Sequence, residues 1–130
     1  MNPLIIKHSV FDFITTCQRL KKEFTTYPDI QLIQEWDHDQ YAKHHRLKLN
    51  CTKTFWVSHP YLDTPLIQNS QSIALDLPQK ILVIKDVTDE IKVIYNNPFS
   101  LQNKHELRGG NTIVETWAKV LNKIVEEAIH

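Results

Sequence analysis

The side chains best suited to chemistry lie at the two ends of one apolar stretch, Ile73 to Pro98. Asp76-Leu77-Pro78 stands before its first β-branched run, and Tyr95-Asn96-Asn97-Pro98 stands after its second. A carboxylate, a phenol and two amides together offer a small polar ligand both donors and acceptors. His105 follows soon after and adds an imidazole. The residue types therefore suggest a ligand-binding site that contains Asp76, Tyr95, Asn96 and His105.

A β-hairpin would bring these residues together. The run Ile81-Leu82-Val83-Ile84 is apolar on both faces, which is typical of an interior strand covered on both sides. Thr88-Asp89-Glu90 is a polar link, and the run from Ile91 to Tyr95 alternates as a second strand does. In an antiparallel hairpin the start of the first strand lies beside the end of the second. We therefore expect Asp76 and Asn96 at the same end of the sheet.

A structural role for the same residues is the competing interpretation. Aspartate and asparagine side chains bond readily to nearby backbone groups and so cap turns and tie strand ends. Asp76 and Asn96 would then contribute stability rather than bind a ligand, and the sequence leaves both interpretations open.

The rest of the chain supplies further strands and two long amphipathic helices. The first helix is predicted at Val10–Phe24 with Ser9 as its N-cap, and the last at Thr112–Ala128, where Thr112 and Glu115 form a capping-box pattern. The other predicted elements are strands at Leu4–Ile6, Asp29–Glu35 and Lys53–Val57, a short helix from Thr64-Pro65 to Gln71, a polar segment from Trp36 to Arg46, and a helical turn within Pro98–His105.

This order of elements predicts an α+β fold: a single domain over residues 1–130, with an antiparallel sheet and two long helices packed on one face. Cys17 lies on the apolar face of the first helix and is predicted to be in the core. The two cysteines lack metal or redox spacing.

Composition argues against several functions. Fifteen basic and fifteen acidic residues cancel, so no global field favours strong nucleic-acid binding or an anionic membrane. Trp36, Trp56 and Tyr95 could stack on bases, but we interpret them as core or dimer-interface residues.

The N-terminus lacks a basic region followed by a long apolar stretch, and no segment reaches transmembrane length. We expect a cytoplasmic, reduced protein.

Around the hairpin the sequence resembles the bacterial and archaeal domain-of-unknown-function family 302. Its hallmarks are an aspartate-leucine-proline entry, a tyrosine-asparagine-aspartate-proline exit and an arginine-histidine pair. They match Asp76-Leu77-Pro78, Tyr95-Asn96-Asn97-Pro98 and Lys104-His105, with asparagine for aspartate at Asn97 and lysine for arginine at Lys104. The family's aspartate-histidine matches Asp37-His38, and Ser58-His59-Pro60 keeps only the proline of its glycine-asparagine-proline turn.

The resemblance implies a compact α+β domain with a curved antiparallel sheet, similar to the TATA-box-binding-protein-like fold class and often seen as a homodimer. It implies no established activity. Only the resemblance adds His38 to the candidate ligand-binding residues. The departures at Ser58, His59, Asn97 and Lys104 mean that a family site using those positions would be altered here.

Two classes of function remain. The first is a non-catalytic homodimeric module that binds a small molecule or a protein partner. The second is an enzyme with His38 or His105 as general base, or a metal-binding protein that uses Asp37-His38-Asp39 with His44 and His45. The sequence contains no recognisable nucleophile motif, which favours the first class. We assign no metal ligand, no catalytic residue and no cofactor.

Overall fold

The computed structural model describes residues 2–130 and contains one open five-stranded antiparallel sheet in the order β1-β5-β4-β3-β2. The strands are β1 (Leu4–His8), β2 (Gln31–Asp37), β3 (Thr52–Ser58), β4 (Gln79–Lys85) and β5 (Ile91–Asn96). The helices are α1 (Phe13–Phe24), α2 (His38–His44), α3 (Pro60–Asn69), α4 (Ser100–Lys104) and α5 (Asn111–Ile129), with a 3₁₀ helix at Gln71–Asp76. The predicted single α+β domain is confirmed.

The predicted hairpin forms the centre of the sheet. β4 lies between β5 and β3, and Ile81 pairs with Tyr95 while Val83 pairs with Val93. Asp86 fixes the turn, because its Oδ1 accepts hydrogen bonds from the backbone of Thr88 and Glu90 at 2.8 and 3.0 Å. The prediction that both faces of β4 are covered is wrong for one face. Ile81 and Val83 are fully buried on one face. Lys80, Leu82 and Ile84, which alternate with them on the other face, are only half-buried.

The two long helices pack against each other and against the same face of the sheet, as predicted. Leu20 of α1 and Leu121 and Ile124 of α5 have no solvent exposure. Arg19 joins the two helices, since its guanidinium donates to the main-chain carbonyls of Glu127, Ala128 and His130 at 2.8 to 2.9 Å. A cation at the carbonyl end of a helix is favourable because the helix dipole is negative there.

The start of α1 differs from the prediction. Asp12 is the N-cap, because its Oδ1 accepts the Thr15 backbone N–H at 2.7 Å, and the helix begins at Phe13. Ser9 instead bonds to the backbone of Phe11. Val10 therefore lies outside the helix, and Val10 and Ile14 are 71% and 67% exposed. The predicted core position of Cys17 is confirmed.

Other boundaries also move. β2 is shifted two residues toward the C-terminus, and the polar segment after it forms α2. α3 begins at Pro60 rather than at Thr64-Pro65, with the later proline inside the helix. Proline suits the first helical position because its missing N–H would have no partner there. α5 is capped by Gly110, whose φ of 71° suits glycine, and not by Thr112.

A buried polar contact joins α3 to α5. Asp63 is 8% exposed, and its two oxygens accept hydrogen bonds from the Trp117 indole N–H at 2.9 Å and the His59 backbone N–H at 3.3 Å. Burial raises the pKa of the Asp63 carboxyl, because the charged form loses solvation. This contact links the start of α3 to the middle of α5.

No helix among residues 2–130 is long and apolar enough to cross a bilayer.

We expect Asp63→Ala to lower the free energy of unfolding by about 1–3 kcal/mol, because it leaves the fully buried Trp117 indole N–H without an acceptor. Urea denaturation followed by tryptophan fluorescence measures this loss. The control is Asp29→Ala at an exposed position, where a change within about 0.5 kcal/mol is expected. Equal effects of the two substitutions would contradict the structural role of Asp63.

Candidate functional site

Asp76 and His105, both predicted site residues, are in direct contact. Asp76 ends the 3₁₀ helix and His105 directly follows α4, and the Asp76 Oδ2 lies 2.5 Å from the His105 Nε2. The Lys104 Nζ bonds to the same carboxylate, at 3.0 Å from Oδ2 and 3.2 Å from Oδ1. Both carboxylate oxygens therefore have a cationic or hydrogen-bonding partner within the protein.

The other side of the His105 ring contacts a serine that the sequence analysis did not single out. The Ser72 Oγ lies 2.9 Å from the His105 Nδ1, and the Ser70 hydroxyl donates to the His105 main-chain carbonyl at 2.8 Å. His105 is buried, with 8% exposure, whereas Ser72 is exposed. We call Ser72, Asp76, Lys104 and His105 the His105 cluster.

The charge state of Asp76 follows from its surroundings. Burial acts to raise the pKa of its carboxyl, but the hydrogen bonds from His105 and Lys104 outweigh burial and hold that pKa below the usual range. Asp76 is thus a carboxylate at neutral pH, and it can only accept hydrogen bonds.

Tyr95 and Asn96 lie at the same end of the hairpin as Asp76, in agreement with the register Ile81 to Tyr95. Their side chains have different surroundings. Tyr95 is 3% exposed on the helix-covered face; burial raises the pKa of its phenol, and its hydroxyl has no hydrogen-bond partner within residues 2–130. Asn96 is exposed at the end of β5. Neither residue is among the hydrogen-bond partners of His105 in the described part of the chain.

His38 contacts a different part of the molecule. Its Nε2 lies 2.8 Å from the Thr54 Oγ1, and Thr54 pairs with Leu82 of β4 on the face of the sheet opposite α1 and α5. The structure does not bring His38 into contact with the His105 cluster. Nor do three His, Cys, Asp or Glu side chains in residues 2–130 form a group that could hold a metal ion.

A groove of about 690 Å³ lies at the opposite end of the hairpin, between the start of α1 and the β4–β5 turn. We call it the α1 groove. Apolar and polar side chains share its wall, and His8 and Glu90 approach within 3.5 Å there. Its lining residues include Val10, Ile14, Cys51, Lys85, Asp89 and Glu90. Sequence reasoning missed this groove because it placed Val10 inside a helix and Val10 and Ile14 on its buried face.

A third feature is the face of the sheet opposite the two long helices. Strand pairing aligns Ile6, Ile94, Leu82, Thr54 and Trp36 in one row across all five strands. Helix α2 covers only the β2–β3 corner, where the rings of Trp36 and Tyr41 lie 5.4 Å apart. We call the remainder the open sheet face; its apolar residues are Leu4, Ile6, Leu82, Ile84 and Ile94, and Lys80 and Lys92 lie on the same side of the sheet.

Ser72 is the residue of the His105 cluster that sequence reasoning missed. It ends the polar run Gln68-Asn69-Ser70-Gln71-Ser72, so its type alone did not distinguish it. Its distance of four residues from Asp76 is no signal either, because residues three apart share a face in a 3₁₀ helix.

We expect Asp76→Asn to reduce stability near neutral pH, by about 1–3 kcal/mol, and to have a smaller effect in acid. The folded protein depresses the pKa of Asp76, so its stabilising contribution is complete above the carboxyl's unfolded pKa of about 4 and is lost as pH falls through the folded pKa. Urea denaturation of both proteins at pH 7 and pH 3 measures the difference. A gap that stays constant or widens in acid would contradict this linkage.

Comparisons with known proteins agree with this architecture. The crystal structure of an uncharacterized conserved protein DUF302 from Bacillus stearothermophilus is similar to this chain, with a TM-score of 0.88 over 98% of this chain and 99% of that one. The two share 12% sequence identity, so the likeness shows the fold alone. A comparison with curated proteins finds no match. The family model described as domain of unknown function DUF302 matches residues 5–128, and the chain therefore belongs to the DUF302 family.

Proposed function

We propose that the protein is a homodimeric module that binds a small molecule in the α1 groove. The single observation that carries the proposal is the groove itself, about 690 Å³ in volume with exposed apolar side chains beside charged ones. Its volume is within the range of small-molecule sites, and its wall combines apolar surface with polar groups that could orient a ligand. Two free cysteines, Cys17 and Cys51, support a reducing compartment such as the cytoplasm.

The chemistry of the wall favours one kind of ligand. Val10 and Ile14 offer apolar surface that water now covers. Lys85 is the one lysine among the lining residues, against the three carboxylates of Asp12, Asp89 and Glu90. A small molecule with an apolar body and a cationic head would complement this balance of charge.

Cys51 provides a built-in reporter of occupancy. It lines the groove and is partly exposed, whereas Cys17 is buried in the core. Burial raises the pKa of the Cys17 thiol to about 12, so this thiol carries almost no reactive thiolate at neutral pH. Iodoacetamide should therefore modify Cys51 alone in the folded protein.

We expect phenylbutylamine to slow the alkylation of Cys51 by iodoacetamide more than phenylbutyrate does. Ile14→Lys should remove the protection, because it replaces apolar surface by a charge that repels the ammonium group, without disturbing the core. Mass spectrometry of the alkylated protein measures the rate. Tyr61→Lys, at a residue 71% exposed on α3, is the matched control and should keep the protection. Protection by neither compound, or equal protection in Ile14→Lys, would contradict ligand binding in this groove.

The open sheet face supports the second part of the proposal, the homodimer. Leu4 and Ile6 are 43% and 48% exposed, and they adjoin the half-buried Ile94 and Leu82. Apolar patches of this kind mark interaction surfaces. A second copy of the chain is a suitable partner because a two-fold axis pairs the same patch with itself. The formal net charge of zero at pH 7 adds no long-range repulsion between the copies.

We expect the protein to have twice the 15.3 kDa mass of one chain in solution, and Ile6→Glu to have the mass of one chain. The substitution places a charge on the β1 side of the proposed interface, where its desolvation would be costly. Size-exclusion chromatography with light scattering measures both masses. Val87→Glu, at a residue 93% exposed in the β4–β5 turn, is the control and should remain a dimer. A wild-type monomer at high concentration would refute the homodimer.

A further inference from the structure

Three side chains of the His105 cluster form a continuous hydrogen-bonded array. The Ser72 Oγ lies 2.9 Å from the His105 Nδ1, and the His105 Nε2 lies 2.5 Å from the Asp76 Oδ2. A hydroxyl, an imidazole and a carboxylate in this order are the parts of a serine nucleophile, its general base and the group that orients the base. Compared with the serine proteases, the two ring nitrogens have exchanged roles.

The partners of the ring determine where its proton lies. Asp76 is a carboxylate and only accepts, so the His105 Nε2 must donate to it. In the neutral ring the Nδ1 then has no proton and accepts the hydrogen bond from the Ser72 hydroxyl. This is the arrangement in which the imidazole can remove the serine proton.

Neighbouring groups position the array, and solvent reaches it at its serine end. Lys104 fixes the Asp76 carboxylate through both oxygens, and the Ser70 hydroxyl fixes the His105 main chain. The side chains of His105 and Asp76 are 5% and 17% exposed. Ser72, in contrast, is exposed. The hydroxyl that would react is therefore the member of the array that solvent and a substrate can reach.

We propose that Ser72 is a nucleophilic serine, with His105 as its general base and Asp76 as the residue that orients His105, and that it accepts the acyl group of an activated ester. The Ser72 Oγ forms a bond to the carbonyl carbon while its proton passes to the His105 Nδ1. The bond to the leaving alcohol then breaks, and the alcohol takes the proton from Nδ1. Water then attacks the acyl carbon and gives a proton to the His105 Nδ1. The bond to the Ser72 Oγ breaks, the serine takes that proton back, and the carboxylic acid is released.

This site is independent of the α1 groove, which lies at the other end of the hairpin. The substrate class follows from the exposure of Ser72, which lies on the surface. An ester with a good leaving group needs little help beyond an activated nucleophile, whereas an amide needs much more. We therefore expect covalent modification of Ser72 to be a more sensitive readout than turnover.

A fluorophosphonate probe tests the proposal on the full-length protein. The Ser72 Oγ would bond to phosphorus, fluoride would leave, and the proton would pass to His105. We expect peptide mass spectrometry to find one adduct, on Ser72, and p-nitrophenyl acetate to acylate the same residue. Ser72→Ala should abolish both modifications in a protein that stays folded, with a lowered melting temperature because the Nδ1 of buried His105 loses its hydrogen-bond partner.

Ser58→Ala is the matched control, because the Ser58 hydroxyl is not among the hydrogen-bond partners of the His105 cluster within residues 2–130. Ser70 is unsuitable, since its hydroxyl bonds to the His105 carbonyl and lies 3.4 Å from the Ser72 Oγ. We expect the Ser58 variant to be labelled at close to the wild-type rate. Asp76→Asn can donate to Nε2 and so favours the wrong ring tautomer, which should slow the labelling roughly 100-fold or more. Circular dichroism checks that each variant is folded.

The same experiment distinguishes a purely structural cluster. A structural cluster predicts that folded wild-type protein is not labelled, or that labelling is spread over several serines and persists in Ser72→Ala. Either result would overturn the proposal. Labelling of Ser72 at the same rate in wild type and folded Asp76→Asn would overturn the assigned role of Asp76. Neither result bears on Cys51 protection, so the proposed groove is tested separately.

Discussion

The architecture depends on the burial of one face of a five-stranded sheet by two helices that also pack on each other. Leu20, Leu121 and Ile124 are fully enclosed between these layers, and each such side chain contributes roughly 1.5–3 kcal/mol on burial. Both long helices are used on this face. Within residues 2–130 the helix on the opposite face is the short α2, which packs against β3, so much of that face stays open. An apolar row on the open sheet face is a direct consequence of this imbalance.

The one-sided packing also places the polar chemistry at the ends of the strands. A polar group buried under the helices needs a partner, as Asp63 has in Trp117. The Tyr95 hydroxyl is a costly exception, because it has no hydrogen-bond partner among residues 2–130. At the ends of the hairpin, short segments can bring several polar groups together without burying them all. The 3₁₀ helix and α4 do so around His105, and the start of α1 and the β4–β5 turn do so around the α1 groove.

The sequence predicted the antiparallel hairpin and the last helix well because apolar periodicity over long segments reports directly on burial. It predicted the ends of elements poorly. Asp12 capped α1 in place of Ser9, and α3 began at Pro60, since short-range hydrogen bonds of individual side chains decide such boundaries. The contact between Asp76 and His105 follows in part from the hairpin, but the position of Ser72 depends on a 3₁₀ helix that no periodicity announces. The sequence analysis missed the α1 groove because it placed the start of the first helix at Val10.

The departures from the family pattern help to separate structural from chemical roles. Asn97 stands where the family has aspartate, and its amide donates to the Asn2 carbonyl at 3.3 Å while its oxygen accepts the Phe99 N–H at 3.1 Å. A carboxylate could accept but not donate, so asparagine suits a turn-forming role here. Lys104 stands where the family has arginine, yet it still reaches both oxygens of Asp76. The positive charge beside Asp76 is thus kept, although lysine lacks the planar, two-pronged donor group of arginine. The turn at Asn97 thus tolerates asparagine in place of aspartate. Lysine in place of arginine at Lys104 keeps the Asp76 carboxylate ionised beside His105, and the tautomer of the His105 ring depends on that charge.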